Sequence, residues 1–171
     1  NNLDMFLTKC QRPEATIMAT YNLTSVPTYD QVIKRVFELK KKHYNGKRYR
    51  HYGIILDTAY LRHPEFLQIR LLSTEWIDKI RQDVRLMESL AEEKYTHIYG
   101  HGHAGFYDFE REKLRRLLDW VDAPIDDVNW LIKMRKDFIL FIDEFDKRRG
   151  KNFLETFPEM EDFYMSCKKL L

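Results

Sequence analysis

The stretch Ala15-Thr-Ile-Met-Ala-Thr-Tyr-Asn22 decides the fold, because its side chains alternate in character from one residue to the next. One face carries Ile17, Ala19 and Tyr21, and the other face carries Thr16, Met18, Thr20 and Asn22. A period of two that includes β-branched residues predicts a strand. The face with the threonines is unusually polar for a strand inside a sheet.

A helix and a second strand follow along the chain. Thr28 and Gln31 match a capping box, which predicts a helix from Thr28 to about His43. Arg50 to Ala59 is predicted to be a strand, and its near-continuous apolar run indicates burial on both faces. A crossover of about 25 residues is too long for a hairpin and long enough for a parallel connection. Residues 15–59 are therefore predicted to form one parallel βαβ unit.

The rest of the chain has the apolar periodicity of helices. Leu3–Gln11 is predicted to be the end of a helix, and Gly150 is predicted to be a helix C-cap. Further helices are predicted at residues 74–92, 108–121 and 128–148, with a loop at 93–107 and a short helix that starts at Pro158.

Composition predicts a packed globular protein. The chain has 171 residues, of which 44% are hydrophobic and 14% aromatic, enough for a core and too many for a disordered segment. The net charge of +2 does not indicate nucleic-acid binding by itself. No apolar run approaches the roughly 20 residues that span a bilayer, so we expect a cytoplasmic protein without membrane contact. Cys10 and Cys167 are expected to be reduced thiols, and two cysteines cannot hold an iron–sulfur cluster alone.

A family resemblance rests on three segments in a fixed order. They are Thr16-Ile-Met-Ala-Thr-Tyr-Asn22, Asp57-Thr-Ala-Tyr-Leu-Arg-His-Pro-Glu-Phe-Leu67 and Phe145-Asp-Lys-Arg-Arg-Gly-Lys-Asn-Phe-Leu-Glu-Thr-Phe-Pro-Glu-Met160. Together they resemble the C-terminal half of a radical SAM protein with a twitch-type C-terminal extension. The resemblance implies an α/β fold, in which residues 1–63 form the C-terminal part of a partial (β/α) barrel and residues 64–171 form a mainly helical extension.

The cysteine motif of that family, CxxxCxxC, is absent from the chain. We therefore expect a fragment whose partner is the missing N-terminal half of the barrel and which is inactive alone. The resemblance implies that the complete protein uses S-adenosylmethionine (SAM) and a [4Fe-4S] cluster for radical modification of an unknown substrate. The alternative is a standalone, non-catalytic binding or interaction domain on a degenerate radical SAM scaffold.

The resemblance also implies where a ligand lies. In parallel barrels the ligand lies across the C-terminal ends of the strands, which here carry Thr20, Asn22, Tyr60 and Arg62. These four residues are predicted to contribute to the SAM or substrate pocket. The alternative interpretation is that Asn22 caps the strand and starts a turn, while the threonines are simply good strand formers.

A histidine cluster is a weaker candidate site. His97, His101 and His103 lie within seven residues and are able to meet one Zn²⁺ or Ni²⁺. No acidic or cysteine ligand accompanies them in an established spacing. The alternative is a glycine-rich loop with exposed, neutral histidines.

Two charged stretches each allow two interpretations. Asp137, Asp143, Glu144 and Asp146 are either a glycosidase-like carboxylate pair or a solvated helix face with Lys147 and Arg148 as partners. The stretch Lys40–Arg50 interleaves basic residues with tyrosines. It is either a contact for single-stranded nucleic acid or a helix end followed by a surface turn.

Overall fold

The structure, a computed structural model, describes residues 2–9, 15–43, 54–91 and 105–171. In these ranges the chain is α/β, mostly helical, with a sheet of two parallel strands, β1 (Ala15–Tyr21) and β2 (Ile54–Tyr60). The helices are α1 (Asn2–Lys9), α2 (Tyr29–His43), α3 (Thr74–Ser89), α4 (Asp108–Asp122), α5 (Val128–Arg149), α6 (Phe153–Thr156) and α7 (Glu161–Lys168). Short 3₁₀ turns lie at Val26–Thr28, Glu65–Leu67, Ile69–Leu71 and Pro158–Met160.

The predicted parallel βαβ unit is confirmed. β1 and β2 pair in parallel, from Ala15 opposite Ile54 to Tyr21 opposite Tyr60, and α2 lies between them along the chain. The second strand was expected from Arg50, and residues 50–53 lie outside the described residues. The predicted helices are present within one to a few residues of their expected ends, and α6 is an addition to them.

The two faces of the sheet differ in exposure. Ile54, Leu56 and Thr58 are buried on one face of β2, as is Tyr21 on the same face of β1. The prediction that the second strand is buried on both faces is wrong, because its alternate residues (Ile55, Asp57 and Ala59) are half-buried or exposed. On that face of β1, Met18 is 78% exposed. We call this face the open face; at β2 one side chain of α4, Lys113, reaches it and forms an ion pair with Asp57.

Buried side chains from both sides of residue 63 contribute to one core cluster. Members at less than 1% exposure include Tyr21, Ile33, Leu56, Ile80, Leu114 and Phe138. Toward the C-terminus the cluster is aromatic, since the ring of Phe138 lies 5.7 Å from that of Phe153 and 5.6 Å from that of Phe163. These contacts pack α5 against α6 and α7.

Helix ends follow local sequence in most places. Gly150 has a φ of 59° and ends α5 in the left-handed region, as predicted, and the Asp127 carboxylate accepts the Trp130 N–H at the start of α5 (2.9 Å). The predicted capping box at Thr28 is wrong. A 3₁₀ turn precedes α2, and the Thr28 N–H donates to the carbonyl of Ser25 (3.2 Å) instead of starting the helix.

A buried ion pair joins three elements. The side chains of Lys40 in α2 and Glu110 in α4 are 2% and 0% exposed, and Lys40 Nζ lies 2.7 Å from Glu110 Oε2. Glu110 Oε1 accepts the Leu56 N–H of β2 (2.6 Å), and Glu110 Oε2 accepts the Tyr107 N–H (2.7 Å). The Lys40 ammonium also lies 4.4 Å from the centre of the Tyr107 ring. Lys40 is therefore a core residue and is not part of a basic surface.

We expect the variant Lys40→Met to lower the free energy of unfolding by about 3–5 kcal/mol, because it leaves the buried Glu110 carboxylate without its cation. The matched control is Lys41→Met, since Lys41 is exposed and lies 3.7 Å from Glu38 on the surface. That variant is expected to change stability by less than about 1 kcal/mol. Urea unfolding followed by circular dichroism measures the free energy of unfolding of both variants. Equal losses in the two variants would show that the buried ion pair contributes no more to stability than the surface pair.

Candidate functional site

The carboxyl ends of β1 and β2 lie side by side at the same end of the sheet. Parallel sheets generally bind ligands at this end of their strands. The segments that leave the two strands are bonded to each other. The Leu61 N–H donates to the Tyr21 carbonyl (2.9 Å), and the Leu23 N–H donates to the Leu67 carbonyl (3.0 Å). The two segments therefore form one continuous surface at the carboxyl ends of the strands, which we call the rim (residues 20–25 and 60–67).

Thr20 and Asn22 lie at different places on this rim. Thr20 is exposed on the open face of β1, whereas Asn22 is half-buried. Asn22 Oδ1 accepts from the N–H of Thr24 (2.9 Å), the hydroxyl of Thr24 (2.8 Å) and the N–H of Ser25 (3.2 Å). These bonds are those of a side chain that starts a turn, which is the second interpretation of Asn22 given by the sequence.

Tyr60 and Arg62 lie together on the side of the rim next to α4. The Tyr60 ring packs on Trp120 with centroids 4.9 Å apart. Arg62 Nη2 donates to the Tyr60 hydroxyl (2.6 Å), and the guanidinium carbon lies 5.0 Å from the centre of the Tyr60 ring. Of the four predicted pocket residues, the structure brings Tyr60 and Arg62 together and places Thr20 and Asn22 elsewhere on the rim.

A buried polar network under the rim was missed by sequence reasoning. The Tyr21 hydroxyl donates to Asp83 Oδ2 (2.8 Å), and Lys79 Nζ lies 2.7 Å from Asp83 Oδ1. The Tyr29 hydroxyl shares a hydrogen bond with Thr58 Oγ1 (2.7 Å), and the rings of Tyr21 and Tyr29 have centroids 4.2 Å apart. One signal for it exists in the sequence, since Asp83 stands at a core-facing position of an otherwise apolar helix stripe.

Burial controls the ionisation of this network. Desolvation raises the pKa of Asp83 above its usual range and raises the pKa of Tyr21 far above that of an exposed tyrosine. Burial also raises the pKa of Tyr29 to about 12. Both phenols are therefore neutral at pH 7. Because Tyr21 and Asp83 are buried, the network holds the strand ends in place and does not offer a reactive group to solvent.

The described residues offer no set of three or more His, Cys, Asp and Glu side chains arranged to hold a metal ion. His97, His101, His103 and Cys10 lie outside the described residues. Cys167 is buried, and desolvation raises the pKa of its thiol. An iron–sulfur cluster needs several cysteine ligands, and Cys167 is the one cysteine in the described ranges, so these ranges do not hold such a site.

Three of the four carboxylates of α5, those near its C-terminal end, have partners. Asp143 accepts the Tyr164 hydroxyl (2.5 Å) and pairs with Lys168 (3.2 Å), and Glu144 pairs with Arg148 (2.6 Å). Asp146 Oδ2 accepts the Phe153 N–H (2.7 Å). These contacts favour the helix-face interpretation over a pair of catalytic carboxylates.

The described part of the basic stretch is also occupied. Lys40 is buried, Lys41 lies near Glu38, and Lys42 and His43 both contact Asp4 at 2.7 Å. The hydrogen bond from Lys42, and to a smaller extent the one from His43, lowers the pKa of Asp4 to about 2. Residues 44–50 lie outside the described residues, so the nucleic-acid interpretation of this stretch remains a prediction.

Comparison of the chain with protein-family models, with curated proteins and with solved structures finds no match. Among the helices in the described ranges, none combines the length and the apolar character needed to cross a membrane.

Removal of the Tyr21 hydroxyl is expected to cost more than removal of the Tyr29 hydroxyl. Tyr21→Phe leaves a buried Asp83 oxygen without its donor, which costs about 1–3 kcal/mol. Tyr29→Phe removes one neutral bond to Thr58 and is expected to cost about 0.5–1.5 kcal/mol. The two variants are matched controls, since each deletes one hydroxyl from a buried ring. Denaturant midpoints measure the difference, and a larger loss in Tyr29→Phe would contradict this ranking.

Stability is also expected to fall as the pH rises above about 10. The ordinary pKa of tyrosine is 10.0, and that of folded Tyr29 is about 12, so the unfolded chain loses this proton first. In that window the folded state binds more protons than the unfolded state, and rising pH favours unfolding. By pH 12 the Tyr29 contribution reaches about 2 kcal/mol. Urea unfolding between pH 8 and pH 12 measures it, and Tyr29→Phe should show a shallower decline.

Proposed function

We propose that this chain is the C-terminal portion of a radical SAM enzyme, in which it supplies barrel wall and part of the SAM or substrate pocket. The observation that carries the proposal is the difference between the two edges of the sheet. One edge is closed by charged side chains of α4, and the other, along β1, has no partner among the described residues.

The outer edge of β2 is closed. The Leu56 N–H, which points away from β1, is bonded to the Glu110 carboxylate (2.6 Å). Lys113 of α4 forms an ion pair with Asp57 on the open face beside that edge. A buried carboxylate at this position leaves no room for a further strand, so β2 is suited to be the last strand of its sheet.

The outer edge of β1 has no partner among the described residues. The Tyr21 carbonyl accepts the Leu61 N–H, so the backbone of Tyr21 faces β2. In a parallel ladder alternate residues face opposite edges, which turns the N–H and C=O groups of Thr16, Met18 and Thr20 outward. No described residue bonds these groups. Proteins seldom leave a flat edge bare, and a preceding barrel strand would pair with it.

The open face supports the same arrangement. In a parallel barrel the helices cover the outer face of the strands and side chains of the inner face fill the interior. Here the buried face packs on helices, while Thr16, Met18 and Thr20 are exposed on the face that would look inward. Of the four predicted pocket residues, Thr20 is therefore the one whose side chain would face the interior of a completed barrel, where SAM or substrate would bind.

A groove beside β1 is a further supporting feature. It has a volume of about 380 Å³ and lies between α1, α2 and the buried side of β1. Its lining is mainly apolar, with Leu3, Ile17, Val32, Val36 and Leu39, and Arg35 at its margin. In a barrel the helix that follows the preceding strand lies on this side of the sheet, and α1, which comes directly before β1 in the chain, has that place beside the groove.

The [4Fe-4S] cluster of such an enzyme does not fit the described residues, because Cys167 is buried among the C-terminal helices. We therefore assign no reaction step to this chain. Its proposed roles are structural and ligand-positioning, and the cluster ligands would belong to the N-terminal half of the barrel.

Hydrogen exchange tests the open edge directly. In the 171-residue chain alone, the Met18 and Thr20 amides are expected to exchange rapidly, while the Ala19 and Tyr21 amides, which face β2, are protected. In a protein that also contains the upstream coding sequence, Met18 and Thr20 should become protected by roughly 100-fold or more. Unchanged exchange at Met18 and Thr20, with Ala19 protected in both proteins, would contradict the proposed strand.

Activity is tested with the same longer protein, reconstituted anaerobically with iron and sulfide. Formation of 5′-deoxyadenosine from SAM, abolished when the upstream cysteines are changed to alanine, is the expected result. A protein that holds no cluster and does not cleave SAM would favour the alternative, a non-catalytic binding domain on a degenerate scaffold.

A further inference from the structure

Four side chains beside the carboxyl end of β2 lie next to one another in a row, which we call the aromatic–arginine platform: Arg62, Tyr60, Trp120 and Arg70. The guanidinium carbon of Arg62 lies 5.0 Å from the Tyr60 ring centre, and the Tyr60 ring lies 4.9 Å from that of Trp120. The guanidinium carbon of Arg70 lies 5.5 Å from the Trp120 ring. Arg62 is exposed, and the other three side chains are half-buried.

The platform keeps two positive charges. Within the described residues neither Arg62 nor Arg70 pairs with a carboxylate; Arg70 Nη2 donates to the carbonyls of Ala123 (2.9 Å) and Pro124 (2.8 Å). Two acidic residues next to these segments have partners elsewhere. Asp122 pairs with Arg81 (2.6 Å), and Glu65 accepts from the Trp130 indole (3.1 Å). The surface is therefore aromatic and positively charged together.

This combination matches the chemistry of an unpaired nucleotide. A base offers a π-face that stacks on tyrosine, tryptophan or a guanidinium plane, and its phosphate binds a guanidinium through two parallel N–H donors. An acidic peptide would use the arginines and leave both rings unused. A duplex hides the faces of its bases within its own stack, so a single strand fits best.

We propose that the aromatic–arginine platform binds single-stranded nucleic acid, with a base stacked on the Tyr60 ring, which Trp120 supports, and a phosphate held by Arg62. Arg62 is exposed, and among the described residues its guanidinium bonds to the Tyr60 hydroxyl and to no carboxylate, so it moves off the ring without loss of an ion pair to them. Arg70 supports Trp120 from the other side and adds charge. This binding activity is a property of the described chain and does not depend on the radical SAM proposal.

Charge reversal at Arg62 tests the phosphate contact. The affinity of the 171-residue chain for a fluorescein-labelled single strand of about 12 nucleotides is measured by anisotropy over a range of salt concentrations. Arg62→Glu is expected to weaken binding roughly tenfold or more and to lower the salt slope by about 1. The matched control is Arg85→Glu, since Arg85 is exposed on α3 and forms no ion pair with a described residue. Equal effects of the two variants would overturn the proposal.

Two substitutions at Tyr60 test the stacking contact. Tyr60→Phe keeps the ring and is expected to change affinity less than about twofold, whereas Tyr60→Leu removes it and is expected to weaken binding about 5- to 100-fold. Circular dichroism confirms that each variant is folded. Equal affinity of the two variants would overturn the stacking contact, and the Arg62 result stands independently if Tyr60→Leu fails to fold.

Competitors identify the class of ligand. The proposal expects the unlabelled single strand to displace the probe much better than the duplex of the same sequence, a mononucleotide or polyglutamate. Equal displacement by polyglutamate would overturn it in favour of an acidic protein partner. Equal displacement by the mononucleotide would indicate a small-molecule site, and equal displacement by the duplex would indicate attraction to phosphate charge alone. No binding of the probe at low salt would overturn it outright.

Discussion

The Glu110 carboxylate is the group on which the arrangement of the sheet depends. It is fully buried and accepts hydrogen bonds from the Leu56 N–H, the Tyr107 N–H and the Lys40 ammonium. A buried carboxylate is tolerable only with such a complete set of donors, because desolvation otherwise costs several kcal/mol. With one side chain the protein caps α4, closes the outer edge of β2 and fixes α2 against α4.

The buried Glu110 carboxylate, which closes the outer edge of β2, has the opposite consequence for β1. Since α4 ends the sheet at β2, any further strand must join at β1, whose outward N–H and C=O groups have no partner in the described ranges. At the carboxyl end, the Tyr21–Asp83 hydrogen bond anchors β1 to α3 from beneath, so the rim stays fixed while its outer surface stays accessible. In the described ranges an anchored rim, an exposed face of β1 and an unpaired edge of β1 therefore occur together.

Local patterns were sufficient for much of the fold. The alternation in Ala15–Tyr21, the length of the crossover and the apolar stripes of the later helices predicted the parallel βαβ unit and its helical continuation, because these patterns reflect which side of an element faces a core. Gly150 was predictable for a similar reason, as a left-handed helix end favours glycine. The capping box at Thr28 failed because a 3₁₀ turn competes for the same backbone groups, and a propensity rule does not rank two local solutions.

The amino-acid sequence by itself determined the element types, the parallel connection and the turn role available to Asn22, since these depend on neighbours within a few residues. Only the tertiary structure decided the partners of charged and aromatic side chains. In the sequence Lys40 is one lysine of a basic run. In the structure it is buried and forms an ion pair with Glu110, 70 residues away along the chain. Tyr60 and Arg62 were predicted beside Thr20, yet they meet Trp120 and form a platform with Arg70. Such contacts arise where distant segments pack together, and the desolvation that gives them their energy does not exist until the chain has folded.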